Sequence, residues 1–221
     1  MGLISKFKEF RSNRHKKSAE RCGDTLKTVV TTKEQRLEAI EALSDGPGAV
    51  VVPQLLKRFE IIVDHGIQDN REKEMVLELI LKFQDDSKPF LRKALAEQKR
   101  IAWPIKIAER LFTPPEYLEL LLQNLSAEFV GFDESVQERN IEILLALKEL
   151  HDPRIAPKAS ALLKSRDEQV RIAALECLEA QASDDTEARG AISTLLQEPP
   201  TDENSRFLGL VKAIVARHQW A

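Results

Sequence analysis

Residues 150–178 read L-H-D-P-R-I-A-P-K-A-S-A-L-L-K-S-R-D-E-Q-V-R-I-A-A-L-E-C-L. Two helical periods lie end to end in this stretch. Ile155, Ala159, Leu162 and Leu163 recur at three- and four-residue spacing, and Val170, Ala173, Ala174, Leu175 and Leu178 do so again after a break. Asp152-Pro153 predicts the start of the first helix, because Asp caps free N–H groups and Pro loses nothing at the first helical position. Asp167 predicts the start of the second by the same capping logic. The stretch is a helical hairpin.

Composition extends this reading to the whole chain. Of 221 residues, 43% are hydrophobic and 31% charged, which excludes a disordered polypeptide. Eight glycines and a 5% aromatic share are too few for a sandwich or barrel, whose turns and strands need both. Leu, Ala, Glu, Lys and Arg prevail, and these are the strong helix formers. The expected fold class is all-α.

The Arg171/Ala174/Leu175/Leu178 pattern recurs along the chain. Weaker copies are Arg36/Ala39/Ile40/Leu43, Lys73/Val76/Leu77/Ile80, Pro104/Ile107/Ala108/Leu111, Asn140/Ile143/Leu144/Leu147 and Arg206/Gly209/Leu210/Ala213. Anchors at 36, 73, 104, 140, 171 and 206 are separated by 37, 31, 36, 31 and 35 residues, one helix pair each time. Second helices are expected from Pro47 to about Val63, over 87–98, over 114–125, and from Thr186 to Leu196. Prolines at helix starts agree with this segmentation, while Pro104 either starts its helix late or kinks it. A plain helical bundle would fit the hairpins too; the near-regular spacing favours a stack in which each pair buries its apolar face on the next.

Asp152-Pro153-Arg154, followed by Asp167, Val170-Arg171, Ala174 and Leu178, resembles the HEAT repeat family in its bacterial, phycobilin-lyase-type form. That resemblance implies an α-solenoid of about five to six hairpins, with Asp and Arg stabilising the turns and the small Ala letting helices approach closely. The motif is complete once, and Arg is replaced at three of the six anchors.

Charge is unevenly spread. Residues 1–21 carry seven Lys/Arg against two Glu, a net +5, so the remaining residues of this chain of net charge −3 sum to −8. Residues 1–24 are read as a basic amphipathic arm and 25–221 as the repeat domain. Leu3, Ile4, Phe7 and Phe10 share one helical face, flanked by Lys6, Lys8, Arg11 and Arg14. This face either caps the first hairpin, the favoured reading, or contacts a membrane surface. Trp220 is a candidate to cover the other end. An acidic body argues against a nucleic-acid partner. With neither a secretory h-region nor a run of ~20 apolar residues, a cytoplasmic protein is expected.

Signs of catalysis are sparse. Cys22 and Cys177 lie in no Cys/His cluster and read as reduced thiols, and His15, His65, His151 and His218 lack a second ligand at metal spacing. No nucleophile elbow or phosphate loop occurs. Asp85-Asp86 and Asp184-Asp185 precede helix starts and read as caps. No cofactor is expected. Basic residues on the second helices, Lys57, Arg58, Lys88, Arg92 and Lys93, are the candidate contacts for an acidic protein segment. The expected function is a non-catalytic interaction module or scaffold. The alternatives are a membrane-peripheral adaptor held by the arm and, less favoured, a lyase-like tetrapyrrole enzyme.

Overall fold

A computed structural model describes residues 3–126, 134–183, 185–201 and 204–220, with side chains from residue 15 onward. The described residues form twelve α-helices and three short 3₁₀ segments, with no strand. The chain divides into two compact units, Met1–Thr113 and Pro114–Ala221.

The first unit holds α1 (Leu3–Lys27), α2 (Lys33–Leu43), α3 (Gly48–Leu56), α4 (Gly66–Leu81), α5 (Lys88–Glu97) and α6 (Ala102–Leu111). Helix α1 continues past the expected arm boundary at residue 24 and packs on α2, on α3 and on the 3₁₀ segment that follows α3. Ala19 and Leu26 are buried there. Gly23 permits the approach: a Cβ at this position would lie 2.3 Å from Gln54 Oε1 and 2.9 Å from Gln54 Cβ. The side chains of Leu3, Ile4, Phe7 and Phe10 lie outside the described residues.

Helix α2 opens with a full capping box, in which Thr32 Oγ1 accepts from Gln35 N and Gln35 Oε1 accepts from Thr32 N. The second helix expected over 47–63 is shorter. With Pro53 inside it, α3 stops at Leu56, tightens to 3₁₀ over Lys57–Glu60, and becomes extended at Ile61. Ser87 Oγ donates to Ile80 O at 3.0 Å across the α4–α5 turn. Helix α6 begins at Ala102, so Pro104 falls in its first turn and costs no hydrogen bond. Val52, Leu55, Ile80, Leu91, Ile101 and Ile107 form the core, beside a Phe59–Trp103 stack with ring centroids 5.9 Å apart.

The second unit holds α7 (Pro114–Asn124), α8 (Glu134–Lys148), α9 (Ile155–Leu162), α10 (Glu168–Gln181), α11 (Thr186–Thr194) and α12 (Ser205–His218). Helix α10 packs on α8, α9, α11 and α12, and α9 also meets α11. Ala156, Ala159, Ala173 and Ala174 are all buried, consistent with close α9–α10 packing. Helix α9 starts two residues later than Asp152-Pro153 implies. Asp152 is engaged instead by Arg154, whose N and Nε donate to its Oδ1 at 3.0 and 2.8 Å, and the chain turns before it coils. Asp167 does cap α10, accepting from Val170 N at 2.9 Å. Asp185 likewise caps α11, accepting from Glu187 N and Ala188 N. Trp220 stacks on His218 at 4.6 Å.

Candidate binding grooves

Beneath the surface of the first unit lies a cluster of charges from α2, the 3₁₀ segment after α3, and α4. Arg36 donates from Nε to Glu72 Oε2 at 2.7 Å and from Nη2 to Oε1 at 3.0 Å, and it also reaches Thr31 O. Arg58 donates from Nη2 to Asp69 Oδ1 at 2.6 Å and to Glu72 Oε2 at 3.0 Å. Lys73 Nζ bonds Asp69 Oδ2 at 2.6 Å, Gln68 Nε2 bonds Glu72 Oε1, and Val63 N bonds Asp69 Oδ1. Three cations thus surround two carboxylates, and all five residues are buried.

Burial alone would raise the Asp69 carboxyl, but hydrogen bonds from Lys73 and Arg58 hold it below the usual carboxylate range. Glu72 is depressed in the same way against its own burial, chiefly by Arg36 and Gln68. Lys73 moves down: burial dominates, and Asp69 only partly offsets it. Removing one partner of such a cluster leaves a buried charge uncompensated, which is strongly destabilising.

Above this cluster runs a groove between α2 and α4. At one end it is lined by Leu37, Ile67, Gln68, Arg71, Glu72 and Met75, and it continues along Ile40, Glu41, Glu74, Glu78 and Leu79. Its surface is mainly apolar. Ile67 is 77% exposed and Met75 49%, and the two border the same groove. Gln68 and Glu72 belong both to its wall and to the buried cluster, so the groove stands on a fixed base.

A second, more polar groove lies between α3 with its 3₁₀ extension and α5. Pro53, Leu56, Phe90 and Ala94 line it, with Lys57, Lys93 and Lys99 facing Glu60 and Glu97. The basic residues singled out from sequence separate here. Lys57 borders this groove and bonds Asp24 at 2.9 Å. Lys93, exposed, lies 3.8 Å from Glu97. Lys88 pairs with Asp85 and, with Arg92, sits over the Phe112 ring, 5.2 and 4.9 Å from its centroid. Arg58 is corrected: its side chain is 0% exposed and serves the buried cluster, so it cannot meet a partner on the surface. It falls three residues after Leu55 and seven after Val51, on the apolar stripe of its segment, and that was the signal available in the sequence.

Three arginines repeat one arrangement, each four residues after a helix cap. Arg36 follows Thr32 and reaches Thr31 O; Arg171 follows Asp167 and bonds Ser165 O at 3.0 Å; Arg189 follows Asp185 and bonds Ala182 O at 2.6 Å. Each guanidinium ties the carbonyls of the preceding turn to its own helix. The sequence reading used the first two as repeat anchors and missed Arg189. Among the described residues no group of three or more His, Cys, Asp or Glu is placed to hold a metal ion, and no helix is long and apolar enough to cross a membrane.

No protein-family model matches this chain, and neither does any curated protein. Among solved structures it is similar to an engineered protein from the Northeast Structural Genomics Consortium, at 19% identity and a TM-score of 0.42, over 88% of this chain and 97% of that one.

Proposed function

We propose that this chain is a non-catalytic protein-interaction module that holds a partner polypeptide in the α2/α4 groove. The observation that carries the proposal is the pair Ile67 and Met75, both held in water above a wall anchored to buried ion pairs. Apolar side chains presented on a rigid base and rimmed by charge form a recognition surface, and an unbranched thioether adapts to a partner's contour. The helices are read as consecutive hairpins of a HEAT-like α-solenoid. In support, neighbours two apart in sequence pack together within each unit: α3 with α5, α4 with α6, α8 with α10, α9 with α11 and α10 with α12.

A photo-crosslinking residue placed at position 75, and separately at position 93, tests the proposal in the native cell. The proposal expects a covalent adduct with another polypeptide from position 75 that disappears in the Ile67→Ser variant. Adducts from position 93 alone would move the site to the α3/α5 groove, and adducts from neither would overturn the reading.

A further inference from the structure

Helix α1 is longer than the elements it packs on. Its 25 residues span about 37 Å, against 11 residues in α2 and 9 in α3. Three contacts set its register: Gly23 meets Gln54, Asp24 pairs with Lys57 at 2.9 Å, and Lys27 pairs with Glu60 at 3.0 Å. Helix α3 therefore runs alongside α1 in the same direction, and its first residue, Gly48, lies level with about position 17 of α1. Helix α2, returning from the turn after Lys27, ends near the same level. Positions 3–14, about 18 Å of helix, continue past the ends of both.

One face of α1 is already taken. Ala19, Gly23 and Leu26 are buried and Cys22 is half-buried, so positions 19, 22, 23 and 26 face α2 and α3. At about 100° per residue, positions 3, 4, 7 and 10 centre about 120° round the axis from that face. Capping of the first hairpin by Leu3, Ile4, Phe7 and Phe10 is not what this register offers. Arg11, Arg14, Lys17 and Arg21 continue along the side of the apolar four, all within an arc of about 140°, and Glu9 and Glu20 fall on the opposite side. Lys17 and Arg21 are exposed. Positive charge is concentrated in this segment: residues 22–113 hold fifteen Lys/Arg against fifteen Asp/Glu, so the first unit's net +5 comes from residues 1–21 alone.

We infer that positions 3–21 of α1 lie on an anionic lipid surface, with the apolar positions at the acyl boundary and the basic ones at the phosphates. The order along the helix selects this occupant. Its apolar positions are farthest from α2 and α3 and its basic ones nearer, which is the order of layers along a helix that enters a leaflet obliquely. Nucleic acid pairs with the cations but leaves an apolar stripe in water. Among the described residues no helix is long and apolar enough to cross a membrane, so the contact is peripheral. The inference rests on α1 alone and stands apart from the α2/α4 groove.

The test sediments the full chain with vesicles of phosphatidylcholine alone, or of phosphatidylcholine with about one third phosphatidylserine. Binding is expected to be at least about tenfold stronger to the anionic vesicles and to weaken as salt rises from about 0.1 to about 0.5 M. Phe7→Ser/Phe10→Ser and Arg11→Glu/Arg14→Glu, each with the urea midpoint of the wild type, are expected to lose it. Lys158→Glu/Lys164→Glu, the same charge change on exposed residues of the second unit, is expected to keep it. Emission from a Phe7→Trp variant is expected to shift to shorter wavelength on the anionic vesicles, which reads insertion without removing the stripe. Failure to bind either vesicle overturns the inference; a lowered urea midpoint in the Phe variant then gives the stripe to the first hairpin. Binding indifferent to the Phe variant, or equalled by a DNA duplex, reduces the arm to a polycation and also overturns it. Each of these failures leaves the α2/α4 reading to its own cross-linking test at position 75.

Discussion

Arg36 of α2 and Glu72 of α4 are joined by two parallel bonds of 2.7 and 3.0 Å, with side chains only 4% and 2% exposed. This forked geometry in a water-poor place makes Glu72 the hub of its cluster, since Arg58 bonds the same carboxylate. Replacing Glu72 by Ala leaves the buried Arg36 without a carboxylate and Arg58 with Asp69 alone. Unfolding of the first unit is then expected to cost less urea, with a loss of about 3–5 kcal/mol. Trp103, stacked on Phe59, reports that unit by fluorescence in a Trp220→Phe background. A loss under about 1 kcal/mol, the scale of an exposed pair, would show that the cluster is solvated in solution.

The same carboxylates set an acid limit. Asp69 and Glu72 both titrate below their ordinary values of 3.8 and 4.5, so as pH falls the unfolded chain takes up protons first. Their contribution to stability is complete above about pH 4.5 and is lost as pH falls through their folded values. Lys73 acts on the other limb. Its proton is held less tightly when folded, so its share of stability rises with pH between its folded value and 10.5. Urea midpoints of wild type and Glu72→Gln, followed between pH 7 and pH 3, are expected to converge on the acid side. Parallel curves would refute the assignment.

Gly23 meets Gln54 where α1 crosses α3. A methyl group at residue 23 collides with the near end of the Gln54 side chain, close to the backbone, so α1 has to shift outward. Gly23→Ala is expected to destabilise the first unit by about 1–3 kcal/mol despite the higher helix propensity of Ala. Pairing it with Gln54→Gly should recover part of that loss in a double-mutant cycle. A gain in stability from Gly23→Ala alone would mean that the helices stand further apart.

The two thiols are distinguishable. Burial raises both, that of half-buried Cys22 and that of Cys177, which is enclosed within α10 packing and pushed up to about 12. Near neutral pH a thiol reagent is expected to modify Cys22 at a measurable rate and Cys177 only on unfolding. Prompt native modification of a Cys22→Ser variant would contradict the placement of α10.

Most of the helices were legible from spacing and caps. The anchors at 36, 73, 104, 140, 171 and 206 fall on α2, α4, α6, α8, α10 and α12 in turn, because period-3.6 burial leaves a trace in any helix with one wet face. The departures sit where local chemistry competes. Asp152 was engaged by Arg154 before it could cap α9, and Pro53 lies inside a segment that tightens into 3₁₀ instead of continuing to Val63. The groove was less legible. Arg58 looked like one more basic surface residue, and its role depends on Asp69 and Glu72, eleven and fourteen positions away, whose orientation toward it is a tertiary fact. Ile67 and Met75 gave no signal at all, since an isolated apolar residue in a helix pattern is ordinarily read as core.

The carbonyl ties at Arg36, Arg171 and Arg189 span at most seven residues, so each corner is closed within its own stretch, while Arg36 also reaches across to Glu72. A corner of this kind is portable. A stretch transplanted with its cap and its arginine keeps the carbonyl ties that close its own bend, because donor and acceptors travel together.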